Sequence, residues 1–132
     1  MELNPSQAPM KGPDQWFTGE VSIEPVARVE EPSRILVNLV RFSPGARTAW
    51  HSHALGQVLY VTEGVGRVQA RGSEVVEIRP GDFVHAPPDE EHWHGAAPDH
   101  PMAHISVTES SPDHSDIWGA HVSDDEYRGG PG

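Results

Sequence analysis

Short apolar runs separated by glycine and proline are the feature that most constrains the fold of this chain. Thirteen glycines and thirteen prolines are distributed along 132 residues, and most of them fall at turn signals between the apolar runs. A helical bundle of this size does not accommodate so many helix-breaking residues. The pattern therefore predicts an all-β protein. The length, with no linker-like tract, predicts one domain over residues 1–132 with a single core.

The apolar runs also predict where the strands lie. We expect strands at residues 17–23, 35–40, 48–53, 57–62, 67–70, 75–78, 83–86 and 103–108. The first is expected to be a short edge strand that ends at Glu24-Pro25 and reaches onto a neighbouring subunit. Residues 1–14 are polar and contain proline, which predicts a flexible N-terminal arm. Ser123 and Glu126 have capping-box spacing, which predicts the start of a short C-terminal helix.

One predicted strand carries apolar residues on both of its faces. The run from Ile35 to Val40 is apolar except at Asn38, and a strand with two apolar faces must be covered on both. One face can line the interior of a barrel. The other face then needs a second sheet or a second subunit, so we expect a homodimer or homotetramer.

Composition excludes several classes of partner and chemistry. The formal net charge is -11, which disfavours binding to phosphate backbones or anionic lipid, so we expect no nucleic-acid and no membrane partner. The absence of cysteine excludes disulfides, thiolate metal sites and cysteine nucleophiles. Residues 1–13 lack the basic and apolar regions of a signal peptide, and no apolar run approaches transmembrane length. We therefore expect a cytoplasmic protein.

The segment from Trp50 to Gln57 predicts most of a metal site. His51 and His53 are two residues apart, so in an extended segment they project from the same face. The bend at Gly56 allows Gln57 to aim its amide at the same point. A fourth ligand is expected from a distant strand, and His92 is the candidate because it follows the turn signals around Pro80 and Pro87.

These residues and their spacing resemble the cupin superfamily. Its first motif runs from a glycine through His-x-His and an acidic ligand to a second glycine, and the matching residues are Gly45, His51, His53, Gln57 and Gly64. Its second motif is matched by Gly72, Pro80-Gly81-Asp82 and His92. The match covers roughly residues 35–109 and implies a jelly-roll barrel, also described as a double-stranded β-helix. Gln57 departs from the usual glutamate.

Four further segments are similar to the small manganese-dependent hydroxynitrile lyases of that superfamily. They are residues 12–19, 44–51, 55–57 and 91–96. The resemblance implies Mn(II) held by three histidines and one glutamine, at His51, His53, Gln57 and His92. It also places the proposed proton-transfer histidine at His104.

Several residues have alternative interpretations. A lone His-x-His is more often surface or core polarity than a ligand pair. His94 shares a face with His92 and is either a partner of the ligands or a second candidate catalytic residue. His104 is either the proton-transfer group or a hydrogen-bonded core histidine. Arg47 either reaches the mouth of the pocket or is solvated, and Trp50 and Trp93 are expected to pack away from the ligands that they flank. The remaining histidines are expected to be incidental, namely His85, His100, His114 and His121.

The neutral ligand set favours Lewis-acid chemistry over redox cycling. Three imidazoles and an amide leave the full divalent charge on the ion, whereas a glutamate would neutralise part of it. Residue types alone leave Fe(II), Zn(II) and Ni(II) open beside Mn(II). The first hypothesis is a lyase that cleaves and forms cyanohydrins from an aldehyde and cyanide, acting on a small-molecule substrate. The alternatives are a metal-dependent dioxygenase or isomerase and a non-catalytic binder of small molecules.

Overall fold

Two antiparallel β-sheets form almost the whole protein. The structure is a computed structural model that describes residues 1–130. Its strands are Met10–Lys11 (β1), Phe17–Thr18 (β2), Val21–Arg28 (β3), Ile35–Phe42 (β4), Arg47–Thr48 (β5), His51–Ser52 (β6), Gln57–Gly64 (β7), Gly66–Ala70 (β8), Val76–Ile78 (β9), Phe83–Ala86 (β10), His92–Ala96 (β11), Met102–Glu109 (β12) and Ile117–Trp118 (β13). One short helix, Asp124–Tyr127 (α1), follows them. The all-β prediction with a short C-terminal helix is confirmed.

The order of the strands brings distant parts of the sequence side by side. The first sheet has the order β1-β3-β4-β12-β7-β10. The second has the order β13-β6-β11-β5-β2, with β8 paired to β11 and β9 paired to β8. Every strand pairing in the described chain is antiparallel, including the long pairs of β12 with β4 and with β7. The strand that carries His104 thus lies at the middle of the first sheet, and the strand that carries His92 lies within the second.

Alternation along the strands decides which side chains face the interior. On β7 the side chains of Gln57, Leu59 and Val61 are buried, whereas Tyr60 between them is exposed. These three side chains therefore form the inner face of the strand. On β4 the alternation places Val40 and Phe42 in the core, and Ile35 is exposed. The second face of β4 is apolar, as predicted, while the oligomer expected from it stays a prediction.

The apolar core fills one end of the space between the two sheets. It takes residues from both sheets, including Phe17, Phe42, Val61, Ala96 and Met102. The inward row of β12 then passes from Met102 in this core to His104 and Ser106, which are buried and polar. Polar side chains therefore lie inside the barrel at the other end, where an apolar filling would otherwise be expected.

The C-terminal helix covers the outer face of the second sheet. Trp50 and Trp93 pack there with Val122 and Tyr127 in a separate apolar cluster. This confirms that the two tryptophans point away from the ligands they flank. The helix begins with the predicted capping box, in which the Ser123 hydroxyl accepts from Glu126 N and the Glu126 carboxylate accepts from Ser123 N.

Both interpretations of Arg47 were wrong. Its side chain is neither at a pocket mouth nor solvated, but buried beneath the C-terminal segment. Arg47 Nη2 donates to the carbonyl oxygen of Val122 over 2.8 Å and to Asp124 Oδ1 over 2.9 Å. The guanidinium also lies 4.6 Å from the centre of the Tyr127 ring. The even spacing between Arg47 and His51 does not place them on one face, because Ala49 and Trp50 interrupt the strand between them.

Three predicted boundaries need correction. Residues 17–23 do not form one strand, since Gly19 has φ 84° and the chain crosses there from the second sheet to the first. The strand that follows does not end at Glu24-Pro25 but continues to Arg28, with an irregular register after Pro25. Residues 48–53 likewise hold two short strands. The N-terminal arm joins the first sheet at Met10–Lys11, and its flexibility stays a prediction.

The other predicted strands are present, with ends that move by no more than two residues. In the part of the chain that the structure describes, none of the helical structure has the length and apolar character needed to cross a membrane.

Candidate metal centre

Three buried imidazoles converge inside the barrel. A potential ligand atom of each of His51, His53 and His92 lies within 4.8 Å of those of the other two. His51 and His92 are direct partners across the pairing of β6 with β11, which explains how residues distant in sequence meet. Such a group of neutral nitrogen donors could hold a divalent metal ion.

A tight turn brings Gln57 back to the same place. Gly56 has φ 82°, and its N–H donates to the carbonyl oxygen of His53 over 3.1 Å. A side chain at Gly56 would meet the backbone of Ala86, whose oxygen lies 2.7 Å from the position of a Cβ. Glycine therefore allows both the turn and the close approach. The amide of Gln57, at the start of β7, is buried beside the imidazoles.

Backbone carbonyls fix the orientation of two of the imidazoles. His51 Nδ1 donates to the carbonyl oxygen of Ala49, and His92 Nδ1 donates to that of Glu90, each over 2.9 Å. A carbonyl can only accept, so in the neutral ring the proton is on Nδ1 and the lone pair on Nε2. Both rings are thus held in the tautomer that a metal ligand needs.

The contact between Gln57 and His92 fits a cation. Gln57 Oε1 lies 2.9 Å from His92 Nε2, while Gln57 Nε2 donates to Ser106 Oγ over 2.9 Å. In this orientation of the amide, two lone pairs face one another. A shared cation removes that repulsion, since two neighbouring ligands of an octahedral ion with bonds of about 2.1 Å lie about 3 Å apart. Without a cation the amide has to turn over, which takes its oxygen away from the imidazoles.

The His53 ring gives a second indication of a missing partner. Both of its nitrogens are buried and neither makes a hydrogen bond within the described residues. Asp116 Oδ1 lies 2.9 Å from His53 Nδ1, at ion-pair distance but without hydrogen-bond geometry. A buried imidazole with no partner is costly. A metal ion bound at Nε2 would satisfy it, with Asp116 on the opposite nitrogen.

Two features of this site were not predicted from the sequence. Ile117–Trp118 (β13) pairs with His51–Ser52 (β6), and the Trp118 ring stacks on the His51 ring with their centres 4.5 Å apart. The same segment brings Asp116 to His53. The available signal was Ile117-Trp118 as an isolated apolar pair in a polar tail, but a two-residue strand carries no periodicity from which its partner could be found.

The two remaining interior histidines form a pair. His104 Nε2 and His94 Nδ1 are 2.9 Å apart and share one proton. The His94 ring lies 5.1 Å from that of His51 and 5.7 Å from that of His92, whereas His104 contacts His94 and Phe42. His94 is therefore the member of the pair beside the candidate ligands, and His104 connects to them through it. His94 Nε2 and His104 Nδ1 are buried without hydrogen-bond partners in the described chain.

Burial keeps these imidazoles neutral. It lowers the pKa of His51 and His94 well below the usual value, and a protonated His92 or His104 nearby would lower each further by repulsion. Burial also lowers the pKa of His92 and that of His104 to about 4. At neutral pH all four are therefore uncharged, and His51 and His92 keep at Nε2 the lone pair that a metal ion would use. His85, His100, His114 and His121 are exposed and lie outside this group.

The depressed pKa values predict that acid destabilises the metal-free protein. Imidazoles in the unfolded chain protonate near pH 6.5, whereas His104 in the fold stays neutral to about pH 4. The free energy of unfolding is therefore not reduced by these groups above pH 6.5, and it falls as the pH is lowered towards 4. His104 alone accounts for about 3 kcal/mol across that window. Urea unfolding of chelator-treated protein at several pH values measures how steeply the free energy of unfolding changes with pH.

His104→Asn should flatten this pH dependence, because the unfolded state then takes up one proton fewer. Equal slopes in His104→Asn and in the wild type would contradict the assignment of the effect to this residue.

Comparison with known proteins agrees with the fold. The family model described as cupin domain matches residues 38–108, more than half of the chain. A protein of Granulicella tundricola named (R)-mandelonitrile lyase is 49% identical over 123 residues, which cover 93% of this chain and 94% of that protein.

Solved structures give the same result for the whole barrel. A cupin-like protein from Thermotoga maritima is 38% identical with a TM-score of 0.86, and the match covers 97% of this chain and 96% of that one. A cupin 2 conserved barrel domain protein from Rhodopseudomonas palustris, at 16% identity, shares the fold with a TM-score of 0.70 over 85% of this chain and 75% of its own. On the family match and these similarities, the chain belongs to the cupin domain family.

Proposed function

We propose that this protein is a metal-dependent hydroxynitrile lyase, which cleaves a cyanohydrin to an aldehyde and cyanide and catalyses the reverse addition. The observation that carries the proposal is the convergence of His51, His53 and His92 with the Gln57 amide inside the barrel. The 49% identity to a protein named as a lyase supports it. When bound, a divalent ion, with Mn(II) the first candidate, supplies Lewis-acid polarisation of the substrate oxygen.

The chain's own residues would hold this site in a form suited to that chemistry. Ala49 and Glu90 keep the first and third imidazoles in the ligand tautomer through their carbonyls. Ser106 accepts from the Gln57 amide and so keeps its oxygen turned inward. Because all four side chains are neutral, the cation's charge is not reduced by its ligands. That favours polarisation of an oxygen over a change of metal oxidation state.

A cavity beside His92 supports a compact, apolar substrate side chain. It has a volume of about 190 Å³, and its apolar lining includes Leu59, Val68 and Val84. Leu59 and Val84 belong to the first sheet and Val68 to the second, so the cavity opens between the sheets. An apolar cavity of about 150 Å³ can take up a benzene ring. The space next to the candidate metal centre therefore suits a phenyl-sized group.

The His94–His104 pair supplies the proton transfer in this proposal. His94 lies beside the candidate ligands, and its Nε2 is buried without a partner. It would accept the cyanohydrin hydroxyl proton at Nε2 as the carbon-carbon bond breaks. His104 Nε2 would stabilise the charged ring by accepting a hydrogen bond from the N–H at His94 Nδ1, across the 2.9 Å contact. Return of the proton to departing cyanide completes the cycle.

The direct test is release of benzaldehyde from mandelonitrile. Protein loaded with Mn(II) should accelerate the release above the rate in buffer containing Mn(II) alone. A chelator should abolish the activity, and Mn(II) should restore it. Parallel loading with Fe(II), Zn(II) or Ni(II) compares the other metal candidates. The lyase proposal fails if none of the four loaded forms exceeds the buffer rate. Oxygen uptake in place of aldehyde release would support a dioxygenase instead.

The proton-transfer role predicts the behaviour of two single variants and their combination. A general acid-base group contributes about 10²-fold to 10⁴-fold in rate, so His104→Ala and His94→Ala should each lose activity in that range while retaining metal. The double variant should lose little more than either single one, because the two residues act as a unit. Benzaldehyde release and metal content, measured on the same samples, check this.

His100→Ala is the control, since it removes an exposed histidine that lies outside the substrate cavity and should leave the rate unchanged. Full activity in both single variants would exclude the pair from catalysis. Loss of metal from His104→Ala would instead identify His104 as a ligand and put Gln57 in doubt.

A further inference from the structure

A short segment joins the two sheets at the polar end of the barrel. Residues 110–116, the strap, follow Glu109 at the end of β12 and lead to β13, which pairs with β6 in the second sheet. Thr108 pairs with Leu36 on one side and with Gln57 on the other. Leu36, Thr108 and the strap line a groove of about 450 Å³. The strap therefore lies at the end of the barrel that holds the candidate ligands.

The imidazole that the strap approaches is the one whose ring the backbone does not fix. His51 and His92 each donate from Nδ1 to the carbonyl oxygen of the residue two positions earlier. His53 Nδ1 makes no hydrogen bond within the described residues. Asp116 Oδ1, at the end of the strap, lies 2.9 Å from this nitrogen. The Asp116 side chain is 51% exposed, so it can turn to bring the oxygen onto an N–H at Nδ1.

Asp116 also brings a negative charge to a ligand set that has none. Three of the candidate ligands are imidazoles and the fourth, Gln57, is an amide. Among the ion pairs of the described chain, only that of Asp116 with His53 includes a candidate ligand. A nearby negative charge stabilises a cation that neutral donors hold. A carboxylate on the far nitrogen of a ligating imidazole also raises the basicity of that ligand.

We propose that Asp116 is a positioning residue of the candidate metal centre, an inference that rests on the metal site of the proposed function. Its carboxylate accepts a hydrogen bond from His53 Nδ1, which leaves the Nε2 lone pair for the ion. Its charge, one ring away from the ion, stabilises the bound cation while the four ligand side chains stay neutral. Asp116 thus fixes His53 as the carbonyls of Ala49 and Glu90 fix the other two imidazoles, and it adds a charge that a carbonyl does not carry.

The same contact couples the strap to the metal. Two backbone N–H groups of the strap donate to Ser111 Oγ within it, and Ser110 N donates to the carbonyl oxygen of Arg34 beside β4. Asp116 connects the strap to a candidate ligand. A cation at His53 Nε2 makes the N–H at Nδ1 a stronger donor and so strengthens this contact. Because such coupling is reciprocal, an ion that fixes the strap is itself held more tightly when the strap is in place.

Competition for Mn(II) between the loaded protein and a chelator of known affinity measures how tightly the ion is held, with no substrate present. Asp116→Asn should weaken Mn(II) binding about 10-fold to 100-fold, the range typical for loss of a partner of a metal-ligating histidine. Asp113→Asn is the matched control, since it removes an exposed carboxylate from the same strap. It should bind Mn(II) as the wild type does. Equal dissociation constants for the two variants would overturn the proposal.

A second substitution separates the charge of Asp116 from a purely structural effect on the strap. Gln57→Glu places a carboxylate directly on the ion. It should therefore tighten Mn(II) binding more in Asp116→Asn than in the wild type, where Asp116 already supplies a negative charge. A variant that had only disordered the strap would gain no more from Gln57→Glu than the wild type does. Equal gains in the two backgrounds would thus contradict the electrostatic action of Asp116.

Hydrogen exchange of the strap amides tests the coupling. Exchange should slow when Mn(II) binds to the wild type and should slow less in Asp116→Asn at saturating Mn(II), whereas equal slowing in both would contradict the coupling. The lyase proposal and this one fail separately. Lack of benzaldehyde release with the affinity difference intact contradicts only the lyase reaction. Equal Mn(II) affinity of Asp116→Asn and Asp113→Asn, in a protein that cleaves mandelonitrile, contradicts only the action of Asp116.

Discussion

The structure depends on one constraint, the burial of uncharged polar side chains between two small sheets. Buried imidazoles and amides cost free energy unless each finds a partner. Carbonyls and Ser106 satisfy part of this group. Within the described residues the nitrogens of His53 make no hydrogen bonds, and the Gln57 oxygen faces the His92 lone pair. A cation at this point would satisfy both groups at once, so the barrel interior could hold one.

The rest of the fold stabilises that interior from three sides. Apolar side chains from both sheets close one end of the barrel. The C-terminal helix, anchored by Arg47, packs over Trp50 and Trp93 on the outside of the sheet that carries His51 and His92. Trp118 covers the His51 ring directly. The candidate ligands thus lie on strands whose opposite faces are fixed by packing, which holds their geometry rigid.

Local chemistry explains which features the sequence predicted. Glycine and proline at turns, alternation along β7 and β12, and the capping box at Ser123 act within a few residues, and all are present. The pairing of β13 with β6 and the burial of Arg47 were missed because each depends on contacts across more than sixty residues. His51 and His53 flank Ser52 at the end of β6, and their rings lie 5.0 Å apart, which agrees with the alternation from which the pair was inferred. The contact of His94 with His104 is also tertiary, since β11 and β12 lie in different sheets.

Metal stoichiometry tests the central claim most directly. Mass spectrometry of the purified protein, dialysed against Mn(II) and then against metal-free buffer, should find about one ion per chain. His51→Ala and His92→Ala should lose it, because a site that lacks one ligand binds far less tightly, while the exposed-site control His85→Ala should retain it. Unchanged metal content in both ligand variants would contradict the account, since the convergence of these imidazoles would then serve some purpose other than holding a cation.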